Sequence, residues 1–182
     1  MKILVVIDMQ NDFISGTLGT KEAQSIVDKA AKRIEEFDGG LILFTQDTHQ
    51  NDYLSTHEGK KLPVTHCIKG THGWQIHERI MEAWRNKKGT SQISEVPDNS
   101  FHKPVFGSVE LVEYIKSRVA EITEIELLGV CTDICVISNA IMLKNTVPET
   151  KISVNAACCA GVTPQSHKEA LNVMRMCHID VV

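Results

Sequence analysis

The stretch Lys2-Ile-Leu-Val-Val-Ile-Asp8 decides the fold of this chain. Bulky aliphatic residues stand side by side without polar alternation, and a carboxylate ends the run. A strand with one wet face alternates; an unbroken apolar run fits a strand buried on both faces, as in a parallel sheet. Working outward, similar runs recur at Leu41–Thr45, Ile93–Val96, Ile122–Leu128, Ile152–Val154 and His178–Val182. Helical patterns lie between them. Lys21–Phe37 sets Ile26, Ala30, Ile34 and Phe37 near one face, with Thr20 placed to cap its start. Gln75–Arg85, Val109–Ala120 behind a capping Ser108, Asp133–Lys144 and the segment after Pro164 complete the set. Strand alternating with helix predicts an α/β fold of three layers, α/β/α, with about six mainly parallel strands and helices on both faces.

At 182 residues the chain reads as one domain, residues 1–182, with a core large enough to need no staples. A net charge of −4 and no basic cluster argue against a nucleic-acid partner. No apolar run approaches a membrane span, and the first one stops at Asp8, too soon for a signal peptide. The six cysteines are scattered rather than laid out as a disulfide scaffold, so reduced thiols and a cytoplasmic location are expected. One connection, residues 46–73, is long for a compact domain, and such loops usually carry function.

In an open parallel sheet, ligands bind beyond the carboxyl ends of the strands. Asp8 ends the first run, Asp47 follows the second, and Gly-Val-Cys131-Thr-Asp-Ile-Cys135 follows the fourth. Asp8 would be partly desolvated, which raises its pKa and suits proton transfer; a turn residue is the plainer reading, which Asn11 and Asp12 share. Cys135 falls near a helix start, where backbone N–H groups favour a thiolate and can cradle an oxyanion. A buried structural cysteine fits the same place, and Cys131 has an equal positional claim to be the nucleophile. Lys103 precedes Pro104 in an extended stretch, as a cleft lysine or a solvated one. Asp47-Thr-His49 sets two ligating side chains on one side of an extended segment. Five of the eight histidines lie between His49 and His77, with Glu58 among them, a mixed N/O set suited to zinc, iron or manganese. A polar surface loop, or a thiolate site of His66, Cys67 and His72, are the alternatives.

Taken in order, Val-Ile-Asp8-Met-Gln-Asn-Asp-Phe13, Thr-Gln-Asp47-Thr-His49, His66-Cys-Ile-Lys-Gly-Thr, Lys103-Pro-Val-Phe106 and the Cys131–Cys135 segment resemble the isochorismatase-like cysteine hydrolases, and within them the nicotinamidases. The resemblance implies an isochorismatase-like, Rossmann-like fold and a triad of Asp8, Lys103 and Cys135, with Cys135 rather than Cys131 as nucleophile. It implies one divalent ion, Zn2+ ahead of Fe2+ or Mn2+, on Asp47, His49 and His66, joined in some members by Glu58. It also implies a cis peptide at Val130–Cys131 beside the oxyanion site. The implied reaction converts nicotinamide to nicotinate and ammonia through a cysteine thioester, a step of NAD salvage that extends to pyrazinamide. The alternative is a related amidohydrolase of ureido or carbamoyl compounds. Phe13, Trp74 and Phe106 are candidate walls for the substrate ring, with core packing an equal explanation of each. A small-molecule amide is the expected partner, and assembly into a homo-oligomer is compatible with this reading.

Overall fold

The computed structural model describes residues 1–88, 97 and 99–182. The expected strand at Ile93–Val96 lies outside the described residues. Six strands form one sheet: β1 (Lys2–Ile7), β2 (Leu41–Asp47), β3 (Ser100–Lys103), β4 (Glu124–Val130), β5 (Lys151–Ala160) and β6 (Asp180–Val181). Their order is β3-β2-β1-β4-β5-β6 and every pairing is parallel. The helices are α1 (Asn11–Ile14), α2 (Lys21–Glu36), α3 (His57–Lys61), α4 (Glu78–Lys88), α5 (Val109–Lys116), α6 (Ile137–Thr146) and α7 (Pro164–Met176).

The order fixes where a ligand belongs. From β1 the chain steps outward through β2 to β3, then crosses back to β4 and steps outward the other way. With right-handed crossovers, the two halves carry their helices on opposite faces. Accordingly α2 packs on α4, while α5, α6 and α7 adjoin in sequence. The reversal falls between β1 and β4, and the carboxyl ends of those strands form its crevice.

Residues Ile3–Ile7 are essentially inaccessible, as an unbroken apolar run requires. Fully burying such a side chain stabilises the fold by about 1.5–3 kcal/mol. Thr20 caps α2 by accepting from the Ala23 N–H at 3.0 Å, and Ser108 caps α5 by accepting from Leu111. At the inner edge Gly129 has φ +124°, and any Cβ there would collide with the Ile7 carbonyl. Only glycine lets β4 pass β1 so closely.

Some boundaries differ from the sequence reading. β2 runs on to Asp47 because Gln46 and Asp47 pair with His102 and Lys103 of β3. β3 itself, Ser-Phe-His-Lys, carries no apolar signature because it is a short edge strand. β5 extends to Ala160, beyond Val154, through small residues that signal a strand weakly. The helix expected from Asp133 begins at Ile137; Thr132–Val136 forms a π-turn ahead of it.

Candidate active site

β1 delivers Asp8 at the crevice, and the backbone there turns sharply, with φ 47°. Asp tolerates this left-handed region better than most residues, and such conformations concentrate at functional sites. The Thr45 hydroxyl donates to Asp8 Oδ1 at 2.6 Å. Parallel pairing of β2 and β3 places Asp47 opposite Lys103. The solvated alternative for Lys103 is not what forms: the residue is 2% exposed. Its Nζ lies 2.7 Å from Asp8 Oδ2, 3.3 Å from Asp47 Oδ1 and 3.5 Å from Cys135 Sγ. One ammonium thus touches three groups able to carry negative charge.

Burial pushes the Asp8 carboxyl up, and Lys103 draws it part of the way back. Burial also pushes the Cys135 thiol well above its usual range; the Asp8 charge adds to this and Lys103 opposes it. Cys135 sits inside the π-turn, buried beside the Asp8 carboxylate, and these surroundings favour its thiol form. Burial alone would lower Lys103, but Asp8, Cys135 and Asp47 together raise it, so it stays an ammonium. Moving the thiol proton to Asp8 shifts one negative charge between two groups that face the same cation. Little charge separation is created, so the transfer is inexpensive even in a dry site.

The triad borders a second cluster. Among the described residues, Asp47, His49 and His66 form a group whose donor atoms all lie within 4.8 Å of one another, and all three are buried. Asp47 Oδ2 is 3.0 Å from His49 Nε2 and 3.4 Å from His66 Nε2. The His66 Nδ1–H donates to the Val64 carbonyl at 2.8 Å, which leaves Nε2 as the outward lone pair. Burial works to raise Asp47, but hydrogen bonds to His49 and His66 and the Lys103 charge hold it well below the usual carboxylate range. Two imidazoles and an ionised carboxylate fit a divalent ion. Glu58 Oε1 lies 3.8 Å from His49 Nε2, at the rim. The thiolate alternative does not assemble: Cys67 is buried in the core with its N–H tied to Asp12 Oδ2, and His72 is exposed against Asn11.

A cavity of about 220 Å³ joins the two clusters, bordered by Cys135, Cys131, Asp47, His66 and Glu58. Phe13, Phe106, Ile134 and Leu62 supply apolar walls. Trp74, expected as a third aromatic wall, is absent from this lining: its indole N–H donates to Thr48 Oγ1 at 2.9 Å and its ring packs edge-on against His102. Those contacts make it core. Burial, with Asp133 and Asp8 adding, pushes the Cys131 thiol up to about 12, and the Val130–Cys131 peptide is cis.

Several supporting residues escaped the sequence reading. Gln10, fully buried, accepts from the Asp47 N–H at 2.7 Å and donates to the Asp47 carbonyl at 2.9 Å, clamping that backbone. The Tyr53 ring packs against both the His49 and His66 rings, at 4.5 and 4.9 Å between centroids, and those two rings meet each other at 4.8 Å. Gln10 lies two residues after Asp8 and carried a local hint; Tyr53 and Thr45 carried none.

Comparison with known proteins covers almost the entire chain. Residues 2–182 match the family model described as Isochorismatase domain. A nicotinamidase/pyrazinamidase of Mycobacterium tuberculosis is 26% identical, over 100% of this chain and 98% of its own. The nicotinamidase of Saccharomyces cerevisiae is 27% identical, over 78% of this chain and 80% of its own. The crystal structure of a Bacillus subtilis nicotinamidase/pyrazinamidase superimposes with a TM-score of 0.83 at 26% identity, covering 100% of this chain and 98% of that one.

Proposed function

The chain belongs to the isochorismatase-domain family, and from that premise we propose that it is a cysteine amidohydrolase converting nicotinamide to nicotinate and ammonia. The observation that carries this reading is the position of Lys103 Nζ, within 3.5 Å of Asp8, Asp47 and Cys135, the last two of which border the cavity. The roles follow from the contacts. Asp8 takes the Cys135 thiol proton, and the sulfur attacks the carboxamide carbon. Lys103 holds the negative charge first on Asp8 and then on sulfur. Backbone N–H groups at Cys131 and Cys135 receive the oxyanion, each such donor being worth about 3–4 kcal/mol in a comparable protease. Asp8 returns its proton to the departing nitrogen, which leaves as ammonia, and a thioester remains. Water gives a proton to Asp8, attacks the thioester carbonyl and releases nicotinate, while the sulfur recovers its proton.

Asp47, His49 and His66 would hold a divalent ion, for which zinc is the first candidate, with Glu58 a further ligand at the rim. When bound, the ion supplies a Lewis-acidic anchor that orients the pyridine ring. Phe13 and Phe106 flank that ring, and the small cavity suits a single-ring amide, pyrazinamide included. We read residues 1–182 as one hydrolase domain whose 46–73 loop supplies the ligands His49, Glu58 and His66. Among the described residues no helix is long and apolar enough to cross a membrane. The cysteines are free thiols, which suits a reducing compartment such as the cytoplasm.

Ammonia release from nicotinamide by the zinc-loaded protein, with Cys135→Ala alongside, tests the reading. Release that disappears in the variant supports it. No release with metal bound overturns nicotinamide as substrate and moves the search to ureido and carbamoyl compounds.

A further inference from the structure

Phe106 lines the cavity, yet its side chain is 49% exposed. A half-exposed ring gains too little from burial to hold its own position. The loop carrying it, 104–107, has no regular structure of its own. Its anchor comes from α6. Asn139 is completely buried, and its side chain bonds to three backbone groups. Its Nδ2 donates to the Phe106 carbonyl at 3.2 Å and to the Cys135 carbonyl at 2.8 Å, and its Oδ1 accepts from the Ser108 N–H at 2.9 Å. One side-chain amide therefore ties both sides of the Phe106 loop to the nucleophile turn. Gly107 strengthens the seam: a Cβ there would run into Met142 Sδ, so the loop lies directly on α6. An asparagine amide has two donor hydrogens and an acceptor, and the three bonds use both faces of that capacity.

We propose that Asn139 is a positioning residue that sets the Phe106 wall at a fixed height above Cys135 and thereby tunes recognition of the substrate ring. The proposal rests on the reading of this cavity as the amide site. Asn139 touches no reacting atom; it acts through Phe106. Asn139→Asp probes the role, because a carboxyl oxygen still accepts from Ser108 while at most one of the two donated bonds, to Phe106 or Cys135, survives, and only when the carboxyl is protonated.

Two readouts test this. In steady-state turnover of nicotinamide, Asn139→Asp raises KM about fivefold to tenfold, the scale of one or two lost hydrogen bonds, with a smaller change in kcat. In a Phe106→Ala background the same substitution adds no further rise in KM. An unchanged KM, or effects of the two substitutions that multiply as independent ones, overturns the proposal. The second readout needs no turnover. Phe106→Trp places a fluorophore on the loop, read as the difference from the parent, whose Trp74 and Trp84 are both buried. Adding Asn139→Asp makes that emission more accessible to acrylamide quenching; unaltered quenching overturns the proposal. Thermal melts accompany both assays, and Asn139→Ala replaces Asn139→Asp if the latter does not fold. A wild-type protein inert toward nicotinamide would defeat the reading of the substrate, while the quenching result would still decide the role of Asn139.

Discussion

Two ion pairs stand on the same sheet and serve opposite ends. At the carboxyl edge, Lys103 faces Asp8, with side chains 1% and 0% exposed. On the body of β4, Arg33 of α2 grips Glu126 through two bonds, Nε to Oε1 at 2.8 Å and Nη2 to Oε2 at 2.6 Å. Asn155 adds a third bond to that carboxylate at 3.0 Å. The guanidinium fork matches one carboxylate and is thereby used up. The ammonium of Lys103 has no such match; it is a point charge shared among Asp8, Asp47 and Cys135. The Arg33–Glu126 pair is a closed structural contact. Lys103 keeps capacity to follow a charge as it moves, which is what the proposed proton transfer from Cys135 to Asp8 requires.

The largest effect should come from breaking the buried pair. Lys103→Met leaves the Asp8 charge uncompensated, and losing one partner of a buried pair costs about 3–5 kcal/mol. Urea denaturation should show that loss, and ammonia release should fall to background. A variant that keeps both stability and activity would erase the distinction between the two pairs. Cys135→Ala is expected to separate the properties: turnover vanishes while unfolding changes by only about 1 kcal/mol. Stripping metal with a chelator should abolish turnover and lower the melting temperature, both restored by zinc. An ion present at about 100 times its Kd contributes about 2.7 kcal/mol.

The smallest effect belongs to the structural pair. Glu126→Gln should cost about 1 kcal/mol, since Arg33 is partly solvated, and leave nicotinamide turnover within about twofold. Its pH signature sharpens the contrast. Burial raises Glu126, but the Arg33 and Asn155 hydrogen bonds and the Arg33 charge outweigh it, so its folded pKa lies below the ordinary 4.5. The contribution is fully present above that ordinary value and fades as the pH drops through the lowered folded value. Denaturation of wild type and Glu126→Gln across the acid range should therefore converge at low pH; parallel curves would remove Glu126 from the account.

Much of this was legible in the chain because it is local. The aliphatic run before Asp8 announces a buried parallel strand, and Asp47-Thr-His49 sets two candidate ligands two residues apart. Thr20 and Ser108 announce caps. What escaped depends on register and packing. β3 has no apolar pattern because it is an edge strand, so the pairing that sets Lys103 against Asp47 was invisible. Gln10 and Asn139 act by reaching across elements to backbone groups far away in sequence, and Tyr53 acts through how its loop folds back on itself. The surroundings of Cys135 were hidden for the same reason: proximity to a helix start is local, whereas burial beside Asp8 is tertiary. By residue type Trp74 was open to both a wall and a core reading, and its hydrogen bond to Thr48 goes with the core.

The central claim is that Cys135 carries the acyl group, while Asp8 takes and returns the proton and Lys103 holds the negative charge. Intact-mass spectrometry of the zinc-loaded protein, acid-quenched during turnover of nicotinamide, addresses it directly. The account predicts a nicotinoyl adduct that maps to Cys135, is lost on treatment with hydroxylamine and is absent from Cys135→Ala. Continued ammonia release by Cys135→Ala, or an adduct that maps to Cys131, would contradict it.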